Sequence, residues 1–277
     1  MQQLNYELIV SDFDGTLVND DGTISQENKE IITKYRQNGG KFAISTGRLP
    51  NGILPRAQEL GLQGAVSCCQ GSIILDIQSK KILFEDSIDN TVAVQVCKKL
   101  EAMDVHFHVY DLWSYYCNKD DDALKRYEYI TKTKAKLSTD KLISEIVQET
   151  GMHVYKFLIM VDPKDNASVL AELEKEPFEG CCVTKSANYL VEVINAKNSK
   201  GSAVQFLAKH YGVAMDKTIG VGDQWNDIPM IQAAGLGVAV KNADEKLKAQ
   251  ADVVFEYTNE ESAVGKLIEK YGYKEKE

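Results

Sequence analysis

The sequence predicts an α/β protein in which a parallel-sheet domain is split by an inserted α+β unit. Three observations predict it. The first eighty residues alternate strand and helix. The middle of the chain carries paired strands with few helices. After Asn195 the alternation returns.

Leu8-Ile9-Val10 is an apolar run ending at a polar, glycine-containing turn, which reads as a buried strand. Ser25 caps the helix that follows, with Ile31, Ile32 and Tyr35 on one face and Gly39-Gly40 at its end. Phe42-Ala43-Ile44 is the second strand, and Ser45-Thr46-Gly47-Arg48 follows it. A short helix with Ala57 and Leu60 ends at Gly61, and Ala65-Val66 opens a third strand. Spacing of this kind implies βαβ units and a parallel sheet.

Ile73–Phe84 reads as a hairpin turning near Gln78-Ser79-Lys80. Val92, Val96 and Leu100 place a helix over about residues 91–103. Strands are expected over 105–110, 113–117, 155–161, 181–184 and 189–194, with a helix near 167–173 and a solvated connection and helix between Lys119 and Lys141. Val204, Leu207, Ala208 and Tyr211 mark a later helix, and strands are expected at 218–221, 236–240 and 253–255, before a final helix containing Leu267 and Ile268. The division expected from this pattern is a core of residues 1–82 and 192–277, with residues 83–191 inserted.

Composition excludes several classes. The 277 residues are 44% hydrophobic and 26% charged, values of an ordinary globular chain with room for one large or two moderate domains. The formal charge is −9 and is spread along the chain without a basic stripe, so no nucleic-acid partner is expected. The longest apolar stretch, Ala233–Val240, is far too short to cross a bilayer, so no membrane partner is expected either. The first residues lack the basic and apolar regions of a signal peptide, and the expected location is cytoplasmic. Six cysteines without a C-x-x-C spacing read as reduced, mostly buried thiols.

The chemistry sits at strand ends. Asp12 and Asp14 follow the first strand, and Asp223 and Asp227 follow a later one. In a parallel sheet the strand C-termini share one edge, and ligands bind in the crevice there, so these four carboxylates can converge. Two carboxylates 4 Å apart repel by about 4 kcal/mol at an effective dielectric near 20, so such a cluster needs a cation or a shared proton. Hard oxygen donors without His or Cys suit Mg²⁺, which completes its shell with water and substrate phosphate. The pattern points to phosphoryl transfer. Thr46 offers a hydroxyl, with backbone N–H groups nearby at Gly47. Lys200 stands at a helix start beside Ser199, against the helix dipole, a placement that makes sense with an anion in the site. Lys197 competes for that role, and the helix start favours Lys200.

Other patterns fail. Counting a calcium loop from Asp12 puts Thr23 where a bidentate Glu is required. Gly220-Val221-Gly222 begins a dinucleotide loop, but Trp225 occupies the third glycine position. Asn226 reads equally as a helix cap or a functional amide. His106 and His108 share a strand face as two metal-type ligands without an evident third, and are read as structural.

Four motifs in order, Asp12-Phe13-Asp14-Gly15-Thr16-Leu17, Ser45-Thr46-Gly47-Arg48, Ser199-Lys200-Gly201 and Gly222-Asp223-Gln224-Trp225-Asn226-Asp227, resemble the haloacid dehalogenase superfamily, specifically its Cof-type phosphatases. The likeness runs over nearly the whole chain. It implies a Rossmann-like parallel-sheet core with a C2-type cap, of subtype B, inserted between the second and third motifs. It also implies roles: Asp12 as nucleophile forming an aspartyl-phosphate, and Asp14 as acid and base. Mg²⁺ would be bound by the Asp12 side chain, the Asp14 backbone carbonyl and Asp223. Thr46, Gly47, Lys200 and Asn226 would bind phosphate, Asp227 would support the metal or Lys200, and Arg48 would contact substrate or cap. Where many relatives carry Asn-Gly, this chain has Gln70-Gly71.

The resemblance makes a small phosphorylated metabolite the expected partner: a sugar phosphate, a flavin-related phosphate or pyridoxal phosphate. A phosphosugar mutase on the same core and a non-catalytic phosphate sensor are the alternatives. Oligomeric state is not legible in the sequence.

Overall fold

The computed structural model describes residues 2–274. Strand β1 (Leu8–Ser11) is buried along its whole length, as its unbroken apolar run requires. Helix α1 (Gln26–Gln37) starts where the Ser25 hydroxyl accepts from the Asn28 N–H. Strand β2 (Lys41–Ile44) and helix α2 (Pro50–Glu59), with proline in its first turn, complete the first crossover.

The expected third strand, β3 (Ala65–Cys68), departs from the reading. It touches β2 through a single parallel bridge, Ser45 to Ser67, and pairs along its length with β4 (Ile73–Asp76). The reason is local: after Ile44 the chain turns away into the Thr46–Arg48 loop, so little of β2 remains to pair. β5 (Ile82–Glu85) closes this antiparallel three-stranded sheet.

The chain then builds a second, six-stranded sheet. In order come α3 (Asn90–Ala102), β6 (His106–Tyr110), β7 (Tyr115–Cys117), α4 (Asp122–Thr131), β8 (Lys136–Leu137), α5 (Ile143–Thr150), β9 (Lys156–Met160), α6 (Asn166–Lys175), β10 (Cys181–Ala187) and β11 (Leu190–Asn195). The strand order is β10-β11-β9-β6-β7-β8, antiparallel except for the β7–β8 pair. Helix α5 was not expected, although Ile143, Ile146 and Val147 carry helical spacing. One face of the sheet, with Phe107, Val109, Phe157, Ile159, Val191 and Val193, packs on α3, α5 and α6. The period-2 alternation turns His106, His108, Lys156 and Glu192 to the other face.

The last segment returns to the first sheet: α7 (Lys200–Tyr211), β12 (Thr218–Gly222), α8 (Ile228–Ala233), β13 (Leu236–Ala239), α9 (Glu245–Lys248), β14 (Val253–Val254) and α10 (Ala263–Tyr271). The five-stranded sheet runs β14-β13-β12-β1-β2, parallel throughout. Ile9 faces α1 and α10, while Leu8 and Val10 face α7 and α8, so both faces are covered. β1 and β12 are neighbours, which brings the motifs after them together.

Both expected division points, 82/83 and 191/192, fall inside strands β5 and β11. We propose instead that the inserted unit is entered and left at residues 86–88 and 195–198. There the Asn195 amide donates to Asp86 Oδ2 and the Ser87 carbonyl (3.2 and 3.1 Å), and Asn198 donates to the Asp86 carbonyl (3.0 Å).

Candidate active site

The loop after β1 is tied to the loop after β12. The Asp12 N–H donates to the Val221 carbonyl at 2.9 Å, extending the parallel pairing past the strand end. The Thr16 hydroxyl donates to Asp223 Oδ1 at 2.8 Å. Gly15 lies between them at φ +77°, and a Cβ there would stand 2.5 Å from Asp223 Oδ2. Both the backbone conformation and the close approach require glycine.

Asp12, Asp223 and Asp227 are all buried, and each offers an oxygen within 4.8 Å of the others. Lys200 enters from the first turn of α7. Its Nζ lies 2.6 Å from Asp12 Oδ1 and 2.6 Å from Asp227 Oδ1. The other Asp227 oxygen accepts the N–H groups of Asp223 and Gln224, both at 2.9 Å. Asp227 is therefore fully engaged, while Asp223 Oδ2 takes only a 3.4 Å contact from Gln224 Nε2 and Asp12 is held by Lys200 at Oδ1, which leaves capacity for a further ligand. Lys197, the competing lysine, is exposed.

Three carboxylates face one ammonium, so the ionised cluster carries a formal charge of −2 in a buried setting. Burial first, then Asp227, push the Asp12 carboxyl well above the ordinary carboxylate range, against the pull of Lys200. Burial and Asp227 likewise push Asp223 up to about 7, against the Thr16 hydrogen bond. Burial alone would lower Lys200, but Asp12 and Asp227 outweigh it and hold the ammonium charged. A divalent cation would bring the charge to zero, and an all-oxygen donor set fits a hard ion.

Asp14 lies outside this cluster. Its side chain is 50% exposed, and Arg48 grips it with two bonds, Nε to Oδ2 at 2.8 Å and Nη2 to Oδ1 at 2.6 Å. The Arg48 guanidinium also stacks over Phe13, 5.0 Å from the ring centroid. Thr46 is buried, and its hydroxyl accepts the Arg48 N–H at 3.2 Å. At Gly47 a Cβ would lie 2.6 Å from Gln70 Nε2. Asn226 Nδ2 donates to Gln70 Oε1 at 3.1 Å, and its Oδ1 is buried without a partner among the described residues.

Several site residues escaped the sequence reading. A cavity of about 750 Å³ is lined by Asp12, Lys200 and Asn226 together with Lys156 and Glu192 from the second sheet and Tyr127 from α4. Lys156 Nζ and Glu192 Oε2 are 3.1 Å apart, and both side chains are 2% exposed. Gln70 Nε2 also donates to Glu192 Oε2, at 2.9 Å, while Gln70 holds φ 60°. The signal was present: Lys156 and Glu192 are isolated charges in otherwise apolar strands, Lys-Phe-Leu-Ile-Met and Leu-Val-Glu-Val-Ile-Asn.

Comparison with known proteins agrees with this geometry. The model of the haloacid dehalogenase-like hydrolase family matches residues 9–268, and the chain belongs to that family. As the four motifs led us to expect, its branch is the Cof type. The chain is 29% identical to the phosphatase YwpJ of Bacillus subtilis (strain 168), over 95% of this chain and 98% of that one. It is 28% identical to the pyridoxal phosphate phosphatase YbhA of Escherichia coli (strain K12), over 89% and 92%. A solved haloacid dehalogenase-like hydrolase from B. subtilis superposes with a TM-score of 0.84 at 25% identity, covering 95% of this chain and 99% of that one. No helix among the described residues is long and apolar enough to cross a membrane.

Proposed function

We propose that this hydrolase is a Mg²⁺-dependent phosphomonoesterase that acts on a small phosphorylated metabolite through an aspartyl-phosphate. One observation carries the reading: a buried lysine 2.6 Å from Asp12, inside a carboxylate cluster two charges short of neutrality. Asp12, Asp223 and the Asp14 carbonyl would hold Mg²⁺, whose positive charge offsets repulsion between carboxylate and phosphate when bound.

Asp12 Oδ1 is held by Lys200, leaving Oδ2 to attack phosphorus. The P–O bond to the leaving group breaks, and Asp14 gives that oxygen its proton. Asp14 then takes a proton from water as the water attacks the phosphorus of the aspartyl-phosphate, releasing inorganic phosphate and restoring Asp12. Lys200 and the Thr46–Gly47 turn face the phosphoryl oxygens. Arg48 occupies both Asp14 oxygens, so donation to a leaving group needs Asp14 to leave that grip.

The cavity lies within the usual range for small-molecule sites, roughly 300–1,000 Å³. Lys156 and Glu192 in its wall favour a hydroxylated or charged leaving group, and Leu158, Met160 and Tyr189 add apolar contact, which agrees with a sugar phosphate, a flavin-related phosphate or pyridoxal phosphate. Six cysteines without disulfides, four of them buried, support a reducing, cytoplasmic setting.

Phosphate release over a panel of such metabolites, with and without Mg²⁺, tests the proposal. We expect Mg²⁺-dependent release that Asp12→Asn abolishes. Full hydrolysis by Asp12→Asn would overturn the nucleophile, and interconversion of sugar-phosphate isomers without release would identify a mutase.

A further inference from the structure

A second cluster of ligand-type side chains lies in the inserted sheet. His106 and His108 share one face of β6, and Cys117 is the direct partner of His108 across the β6–β7 pair. Their Nε2 atoms are 2.8 Å apart, and Cys117 Sγ is 3.4 Å from His106 Nε2. All three side chains are buried. We propose that His106, His108 and Cys117 form a Zn²⁺ site, separate from the aspartate cluster.

Two features support it. First, His106 Nδ1 lies 2.8 Å from Asp121 Oδ2, so the proton of a neutral ring sits at Nδ1 and the Nε2 lone pair points into the cluster. A carboxylate behind the ring is the usual support of a metal-bound histidine. Second, two imidazoles and a thiolate make a borderline-soft set that selects Zn²⁺ over Mg²⁺. The cost falls on His108, whose Nδ1 is buried without a partner among the described residues and must carry the ring proton when Nε2 binds the ion. Without metal, His108 Nε2–H donates to His106 Nε2. On metal binding that proton moves to the unpartnered Nδ1, freeing Nε2 as a ligand. Burial holds the Cys117 thiol up at about 11, so the metal-free residue is protonated, and its proton leaves to solvent as the Zn–S bond forms. One proton is released per ion. Tetrahedral bonds of about 2.0–2.1 Å put the two nitrogens roughly 3.4 Å apart, so the rings must part by about half an ångström. His106 and Asp121 also line the large cavity.

The site does not depend on the phosphatase reading, and its test needs no turnover. Metal-stripped full-length protein is titrated with Co²⁺ as a spectroscopic stand-in, in excess Mg²⁺, and then with Zn²⁺ by equilibrium dialysis. We expect one equivalent of Co²⁺ to give a thiolate charge-transfer band with tetrahedral d–d bands, and Zn²⁺ to abolish them. The bands persist in Asp223→Asn and in Cys182→Ser, which alters an exposed thiol, and vanish in Cys117→Ser and His106→Gln. Asp121→Asn keeps the cap of α4, since Asn caps as well as Asp, yet lowers Zn²⁺ affinity about 10- to 100-fold by losing the acceptor behind His106. The proposal fails if wild type gives no thiolate band, or if Cys117→Ser keeps it. It also fails if Asp223→Asn alone removes binding. Circular dichroism confirms each fold, and His106→Gln carries the test if Cys117→Ser unfolds.

Discussion

The charge deficit of the aspartate cluster predicts a pH-dependent stability that Mg²⁺ should reverse. The perturbation is a pH series from 5 to 8, with EDTA or with Mg²⁺, on wild type and Asp223→Asn. Asp223 rises from 3.8 to about 7 in the folded protein, about three units. Each unit is about 1.4 kcal/mol, so the effect is on the order of 4 kcal/mol. Between pH 4 and 7 the unfolded chain loses this proton while the folded chain keeps it. Rising pH therefore favours unfolding across that window, and the Asp223 contribution ends above about pH 7. Asp12 shifts in the same direction and adds to it. The series from pH 5 spans about two of those units, about 3 kcal/mol, so at roughly 2–4 °C per kcal/mol for a chain somewhat smaller than this one the metal-free Tm should fall by roughly 5–10 °C relative to Asp223→Asn. Mg²⁺ needs the ionised carboxylates, so its stabilisation should be small at pH 5 and full at pH 8. Differential scanning calorimetry reads both effects. A wild-type Tm that tracks Asp223→Asn at every pH, or an equal Mg²⁺ effect at pH 5 and 8, would refute the reasoning.

Three further predictions concern neighbouring residues. Gly15→Ala forces a side chain into the left-handed region and within 2.5 Å of Asp223 Oδ2; we expect a loss of about 1–2 kcal/mol in urea denaturation and weaker Mg²⁺ binding by calorimetry. Glu192→Gln leaves Lys156 charged and buried without its partner, which should cost about 3–5 kcal/mol, whereas Lys156→Met with Glu192→Leu should recover most of it; retained stability in the single variant would show the pair to be solvated. Gln70→Asn suits the left-handed backbone better but is too short to span Glu192 and Asn226; we expect nearly unchanged Tm and a raised KM, and an unchanged KM would remove Gln70 from the substrate site.

The core half of the site was legible because its residues follow strand ends in contiguous motifs. Asp12 and Asp223 needed only the rule that parallel strands share a C-terminal edge, and Lys200 needed only its helix start. The wall formed by the inserted sheet was not legible in that way. Lys156 and Glu192 meet because β9 and β11 pair with Glu192 opposite Leu158, a register that no local pattern sets. His106 and His108 were readable as a period-2 pair, but Cys117 joins them only through the β6–β7 register. The expected division points cut through strands for a related reason. An apolar run shows a strand, not the sheet it joins, so β5 and β11 were cut.

Asp12 and Asp14 are two residues apart on one loop, yet the fold gives them opposite surroundings, and the proposed roles follow from that difference. A nucleophile must stay ionised beside an anionic substrate. Asp12 is buried and would protonate on its own, so it requires Lys200 and a cation to remain a carboxylate. An acid–base group must gain and lose a proton in each turnover, which burial in a charged cluster would block. Asp14 sits half exposed, and its partner is a single guanidinium on the loop that also carries Thr46. If Thr46 takes a phosphoryl oxygen as proposed, a shift of that loop would also move Arg48 against Asp14. Arg48→Lys keeps the charge but loses the paired grip. Asp14 would then be freed without any movement of the loop, so the proposed roles predict a lower kcat for Arg48→Lys, and an unchanged kcat would show that the paired grip plays no part.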